Sequence, residues 1–320
     1  MTKYTIFLTL FVSTLGLYSM EVIASGSYGG GASQGATNSS SNGVLKNKSA
    51  KNLRERARQE AKQNLKKVEF TKFDFSHADF TSVIAPHIEY NINQTASKLD
   101  YSSVNKKSLD SYVDNLLNVP KKQFDSWNND HQLAFLINTY NALTIKRIIE
   151  KMPKDSIKEL GSGFPLYRSP WKIDFFEIFE KKANLDHIEH ELARGSGRYN
   201  DPRIHFAFNC ASIGCPALQK VPFDGDRLDQ QLDQATEQFL RDRNRNYFDK
   251  EKNSLLVSSI FKWYRGDFEK GDKGFHSLKD FFSSYASSLT DDPEVMALIK
   301  KKSDYSIEFL DYDWKLNNQF

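Results

Sequence analysis

The sequence predicts an α+β fold, a helix-rich single domain with a small antiparallel or mixed β-sheet flanked by helices. Three observations carry that expectation. Apolar residues recur at helical spacing over long stretches, above all in 129–151. Apolar runs of strand character are short and dispersed, at 204–209, 254–259 and 307–316. No Gly-, Pro- or Ser-rich break and no internal repeat divides residues 70–320. With 39% apolar and 13% aromatic residues the chain can build a sizeable core, and it must, because two cysteines cannot staple a domain of this size.

In chain order, residues 1–24 read as an export signal. Lys3 supplies the positive start, Ile6 to Met20 is mostly apolar, and Val22 and Ala24 stand where a signal peptidase reads small side chains. The apolar run, about 15 residues, is short of the roughly 20 that span a bilayer, so cleavage is expected rather than an anchor. No cysteine follows it to carry a lipid. Residues 25–45 are rich in Gly, Ser, Asn and Ala and read as a flexible linker. Residues 46–69 form a basic helical arm, with nine Lys/Arg between Lys46 and Lys67 against Glu55 and Glu60. Leu53, Ala57, Ala61 and Leu65 make only a narrow seam, so the arm is either a solvated helix leading into the domain or a contact for an anionic envelope surface. A net charge of +3 and an exported chain argue against nucleic acid as a partner. The protein is thus expected to be exported, either periplasmic or secreted.

Within 70–320, Lys98 to Val119 reads as short helical pieces. Asn129 to Lys151 is a longer helix with Leu133, Leu136, Ile137, Tyr140 and Ile148 on one face; Phe135 and Leu143 lie off it, which predicts burial on more than one side. Asn184 caps a helix over 185–194 that Gly195 ends. Ile204 to Asn209 and Ser254 to Ser259 read as strands, 227–242 and 275–288 as helices, and Ile307 to Leu316 as a final strand.

Three constellations carry chemistry. The first is Asp201 to Pro216, which holds both cysteines. On a regular strand His205 and Cys210 face opposite sides, roughly 16 Å apart, so the base that makes a thiolate of Cys210 has to come from elsewhere unless the strand bends. Export makes a Cys210–Cys215 disulfide the competing reading, and Ser212 and Gly214 permit the tight turn it needs; an unpaired, inert core cysteine is the third. The second is the helix from Leu185 to Leu192. At 100° per residue Glu189 falls about 40° from Leu185, inside the apolar stripe, where a carboxylate needs a partner. His190 lies on the flank, and Glu189 with His190 supplies the orienter and base of a thiol triad; the alternative is a structural Glu–Arg pair with a surface histidine. His187 and His190 show no strong zinc spacing, and the sequence calls for no metal and no cofactor. The third is Asn138, Tyr140 and Asn141 in the long helix, either a structural bracket or a polar substrate-binding patch.

The segments 135–143, Ile188-Glu189-His190, Asp201 to Pro216, 258–264 with Asp267-Phe268, and 312–317 together resemble the domain-of-unknown-function family 547, over roughly Gln123 to Asn317. The resemblance implies no assigned reaction. It implies members among exported bacterial proteins and plant proteins, and a plant-type loop that often carries serine at the position of Cys215. That singles out Cys210.

The expectation is therefore an exported thiol-dependent hydrolase or transferase acting on an amide or ester. Cys210 is the nucleophile, His190 the base with His205 as fallback, Glu189 the orienter, and Asn138, Asn141 and Tyr140 hold a peptide, saccharide or other small envelope substrate. The competing expectation is a non-catalytic envelope binding or scaffold module with a structural Cys210–Cys215 disulfide.

Overall fold

A computed structural model of the chain describes residues 72–161 and 168–319. The expected signal, linker and basic arm fall outside the described residues. Those residues form the α+β mixture expected, with small sheets of two and three strands among helices.

The centre is the helix α4, Asn129–Lys151. It follows α1 (Ala78–Ile84), α2 (Lys106–Leu117) and α3 (Lys121–Asp125). Its ends are set locally. The Asn128 side chain accepts the His131 N–H at 2.8 Å, and Met152 turns left-handed (φ 45°) ahead of Pro153. From Gln132 to Ile145 every residue is buried, so the helix is sheathed on all sides, as Phe135 and Leu143 foretold. Polar residues in such a helix must be hydrogen-bonded. Asn138 and Asn141 do this by gripping loops.

Two hairpins were not anticipated: β1 (Ile88–Tyr90) with β2 (Ser97–Leu99), and β3 (Phe176–Ile178) with β4 (Lys181–Ala183). Three residues per strand are too few for an alternating pattern to stand out. The main sheet is mixed. Strand β6 (Ser254–Ser258), buried along its length, pairs antiparallel with β5 (Tyr247–Asp249) and parallel with β7 (Ser306–Leu310).

The segment expected as a strand over 204–209 is instead a 3-10 turn, Pro202–Phe206. The reason is local. Pro202 fixes φ at the first helical position, and the Asp201 carboxylate accepts the Arg203 N–H at 3.0 Å. The Arg203 guanidinium is then clamped by Asp201, Asp229 and Asp233, locking the turn against α6 (Leu228–Leu240). The 16 Å separation of His205 from Cys210 therefore falls with the strand. The helix expected over 275–288 also breaks, at Tyr285, into α9 (Leu278–Ser284) and α10 (Ala286–Leu289).

The final strand is shorter than expected. Beyond Leu310 the chain leaves the sheet and runs along the cysteine loop. Ile213 N–H donates to the Lys315 carbonyl (2.8 Å), Gly214 N–H to Asp313 (2.9 Å), and Asn317 N–H to Ala211 (3.0 Å). This pairing lays Tyr312 against the cysteines and Trp314 against Tyr312. Gly214 is required there: a Cβ at that position would lie 2.8 Å from the Tyr312 ring.

Candidate functional site

The cysteine loop is held by asparagines. Asn141 donates to the Ala207 carbonyl (3.0 Å) and accepts the Asn209 N–H (2.8 Å). Asn209 in turn donates to the Pro216 carbonyl (2.8 Å) and accepts the Ala211 N–H (2.9 Å), tying the two ends of the loop together. Asn138 makes the same two-way bracket with the Phe223 backbone, at 2.7 and 3.0 Å. Both amides expected to bind substrate are thus committed to backbone, and neither lines the cleft described next.

Cys210 and Cys215 form a disulfide with their Cα atoms 6.1 Å apart. Neither sulfur is a free thiol in this state, which is the disulfide arrangement the sequence left open. The two sulfurs are not alike. Cys215 is buried, 3% exposed, while Cys210 is partly exposed. The Cys215 Sγ receives three donors: the Cys210 N–H at 3.0 Å, the Ser212 N–H at 3.3 Å and the Tyr312 hydroxyl at 3.2 Å. Ala211, left-handed at φ 63°, turns the two flanking N–H groups to the same side, a backbone nest.

Both cysteines line a cleft of about 200 Å³. The cleft brings together Cys210, His190, Glu189, His205 and Tyr140, five of the residues singled out from sequence, with Asp186 beside them. Its walls are aromatic: Trp171, Trp263, Trp314, Tyr264 and Tyr312. Three of the four tryptophans of the chain stand here, and Trp263 remains 47% exposed at the rim. Trp314 anchors the group, with ring centroids 5.7 Å from Trp171, 5.5 Å from Trp263 and 4.5 Å from Tyr312.

Helix α5, His187–Arg194, has a widened π-type turn; the Gly195 N–H reaches the His190 carbonyl five residues back at 2.9 Å. Asn184 caps it as expected, accepting the His187 N–H at 2.9 Å. His190 is held by Arg194. Its Nδ1 accepts from Arg194 Nη1 at 2.7 Å, and its Nε2 faces Asp186 at 3.5 Å. Glu189 stands 4.0 Å from that Nδ1, beyond hydrogen-bond reach, and does not orient the ring. The buried carboxylate finds tyrosines instead, the Tyr264 hydroxyl at 2.8 Å and that of Tyr140. Burial raises the pKa of both phenols, and the adjacent Glu189 charge raises them further, so both stay protonated donors.

His205 is placed differently. Its side chain is 1% exposed, its Nε2 is 2.7 Å from Asp267 Oδ2, and its Nδ1 is buried with no hydrogen-bond partner. Tyr264 stacks on the ring at 3.8 Å between centroids. Asp267 lies on α8 (Arg265–Glu269), which follows the short α7 (Ile260–Trp263), and is also held by Arg194 Nε at 2.7 Å. Burial alone would raise the Asp267 pKa, but the hydrogen bonds from His205 and Arg194 outweigh it and hold the carboxyl below its usual range. Burial lowers the His205 pKa, only partly opposed by Asp267, so the ring is neutral near pH 7. A neutral ring that donates Nε2–H to a carboxylate leaves the Nδ1 lone pair as its base.

Asp267, Arg194 and the aromatic walls were not named as site residues from the sequence. The only signal for Asp267, Trp263, Tyr264, Tyr312 and Trp314 was their presence in the blocks Trp263-Tyr264, Asp267-Phe268 and Tyr312-Asp313-Trp314; Arg194 and Trp171 lie in none of them. Among the described residues, the one group of side chains spaced to hold a cation is His131 with Asp224 and Asp226, at the start of α4. It shares no residue with the cleft.

Comparison with curated proteins and with solved structures finds no match. Comparison with protein families finds one, which takes in α4, α5, the cysteine loop and α6 but stops short of Asp267 and the Tyr312–Trp314 wall. Residues 124–240 match the model of the family described as "Protein of unknown function, DUF547".

Proposed function

We propose that the cleft is the active site of a hydrolase or transferase acting on an amide or ester, with Cys210 as nucleophile once its disulfide is reduced. The observation that carries the reading is His205: fully buried, one nitrogen taken by Asp267, the other unpartnered, in the cleft that Cys210 also lines. In this reading His205 Nδ1 takes the Cys210 proton, and the thiolate attacks the carbonyl carbon. The imidazolium then returns the proton to the leaving amine or alcohol. Water or an acceptor attacks the resulting thioester and restores the thiol. Asp267 holds the tautomer. The Tyr312 hydroxyl, 3.3 Å from Cys210 Sγ, is the nearest donor for the oxyanion. His190 and Glu189 shape the wall rather than act as base and orienter.

The disulfide supports a working place outside the cytosol, where such bonds persist. Export, periplasmic or beyond, belongs to this reading, as does attachment of the 46–67 arm to anionic envelope material. Deleting that arm is expected to abolish salt-sensitive retention on anionic vesicles; unchanged retention would remove the arm from the account.

The disulfide also favours a second reading: a non-catalytic envelope binding or scaffold module in which the Trp171, Trp263 and Trp314 walls hold a saccharide or peptide. The two are separated by assaying oxidised and reduced protein against a panel of activated esters and amides while following tryptophan fluorescence. Turnover by the reduced protein, lost in Cys210→Ser and His205→Asn, supports the enzyme. Saturable quenching independent of redox state, with no turnover, supports the module.

A further inference from the structure

The two sulfurs of the disulfide sit in unequal surroundings, and that inequality has a chemical direction. Thiol–disulfide exchange proceeds by attack of a thiolate on one sulfur and departure of the other. The sulfur attacked must be accessible, and the sulfur that leaves does so faster when its negative charge is stabilised. Cys210 meets the first condition. It is partly exposed and opens on the cleft, and its polar neighbours at the sulfur are the Tyr312 and Ser212 hydroxyls, at 3.3 and 3.7 Å. Cys215 meets the second. The residue is buried, and its sulfur takes the two nest N–H groups and the Tyr312 hydroxyl. Hydrogen bonds from backbone N–H groups to a sulfur are worth most when that sulfur is charged. The Arg245 guanidinium adds to the setting by binding the Cys215 carbonyl, although Asp242 pairs with it at 2.6 Å and offsets most of its charge.

We propose that Cys210–Cys215 is a thiol–disulfide exchange centre of fixed polarity, in which a low-molecular-weight thiolate attacks Cys210 Sγ and Cys215 Sγ leaves as the thiolate. In the first step a bond forms between the incoming sulfur and Cys210 Sγ, the Cys210–Cys215 bond breaks, and the electron pair goes to Cys215 Sγ. In the second step another external thiolate attacks the incoming group's sulfur. That releases the external disulfide and leaves Cys210 as a thiolate, which takes a proton from solvent. Two external thiols are oxidised and one protein disulfide is reduced. The nest is built from the loop's own backbone, and its third donor comes from the tail. The leaving sulfur is therefore held in place before the bond breaks, and no rearrangement of the loop is needed to receive the charge. The polarity does not depend on whether the cleft is hydrolytic or binding, and its readout is the position of a label rather than turnover.

The test uses the full chain in its oxidised form. The protein is mixed with reduced glutathione, quenched at short times with N-ethylmaleimide, and mapped by peptide mass spectrometry. The expected early species carries glutathione on Cys210 and maleimide on Cys215. The reverse placement would overturn the proposal, as would a disulfide that glutathione leaves closed in the folded protein but opens in the denatured one. Tyr312→Phe removes one of the three donors and is expected to slow opening by roughly three- to tenfold. A Tyr312→Phe protein with the native near-ultraviolet circular dichroism and an unchanged opening rate would remove the donor cradle from the account.

Discussion

The cleft contains two histidines on two neighbouring elements. His190 rides on α5, a partly exposed helix, and lies two residues from the apolar residue Ile188. His205 sits in the 3-10 turn before the cysteine loop and is all but excluded from water. By sequence His190 is the better base, because it lies next to a carboxylate. In space the order reverses. His190 has one nitrogen on Arg194 and the other facing Asp186, while His205 has one on Asp267 and one unpartnered. The difference teaches that a base is identified by which of its lone pairs is left over, not by proximity to an acid in the chain.

The largest effect expected is on turnover by the reduced protein. His205→Asn should lower kcat/KM by about 10²–10⁴-fold, whereas His190→Asn should lower it by less than about tenfold. Steady-state assays of the two variants side by side check this, and the opposite order would reverse the assignment. Next comes Asp267→Asn. It keeps the shape but lets the side-chain amide donate to His205, which favours the wrong tautomer; a loss of about 10²-fold is expected, with KM little changed. A loss in KM alone would make Asp267 part of the binding wall instead.

A smaller, structural effect separates the asparagine brackets from the chemistry. Asn141→Ala leaves the Asn209 N–H and the Ala207 carbonyl without their partner in a buried setting and is expected to cost about 2–4 kcal/mol of stability, read by urea denaturation. Tyr140→Phe removes only the hydroxyl that meets Glu189 and Trp171 and is expected to cost less. A second buried histidine, His77, gives the comparison a pH axis. Burial lowers its pKa from 6.5 to about 4 in the folded protein. Between those values the unfolded chain binds a proton that the folded one does not, so stability falls as pH drops through that window, by about 3 kcal/mol in total. Denaturation midpoints followed from pH 7 to 4 check the slope, which His77→Asn should flatten. Asp267 acts lower: its depressed pKa stabilises above the ordinary carboxylate range, and that contribution is lost as pH falls below it.

How much was legible in the sequence follows the range of the forces involved. The bounds of α4 could be read because an Asn cap, a 3.6-residue pattern and a Met152-Pro153 stop are all local. The turn at 202–206 was misread because apolar content pointed to a strand while Asp201 and Pro202, two residues earlier, dictated otherwise. Cys210, His205 and Tyr140 were found because thiols, imidazoles and phenols in apolar runs are conspicuous. Asp267 was not, since it reaches His205 across 62 positions, and nothing in Arg265-Gly266-Asp267 marks that carboxylate off from a surface one. The polarity of the disulfide was equally hidden. It depends on a left-handed Ala211 and on a tail that returns a hundred residues later to set Tyr312 on the sulfurs.

The central claim is that His205, not His190, governs the Cys210 thiol. The rate of Cys210 alkylation by iodoacetamide in the reduced protein, followed against pH by peptide mass spectrometry, tests it most directly. An inflection below the ordinary thiol value of about 8.5 is predicted, moving up to that value in His205→Asn and staying put in His190→Asn. A profile unchanged by His205→Asn, or displaced by His190→Asn instead, would contradict it.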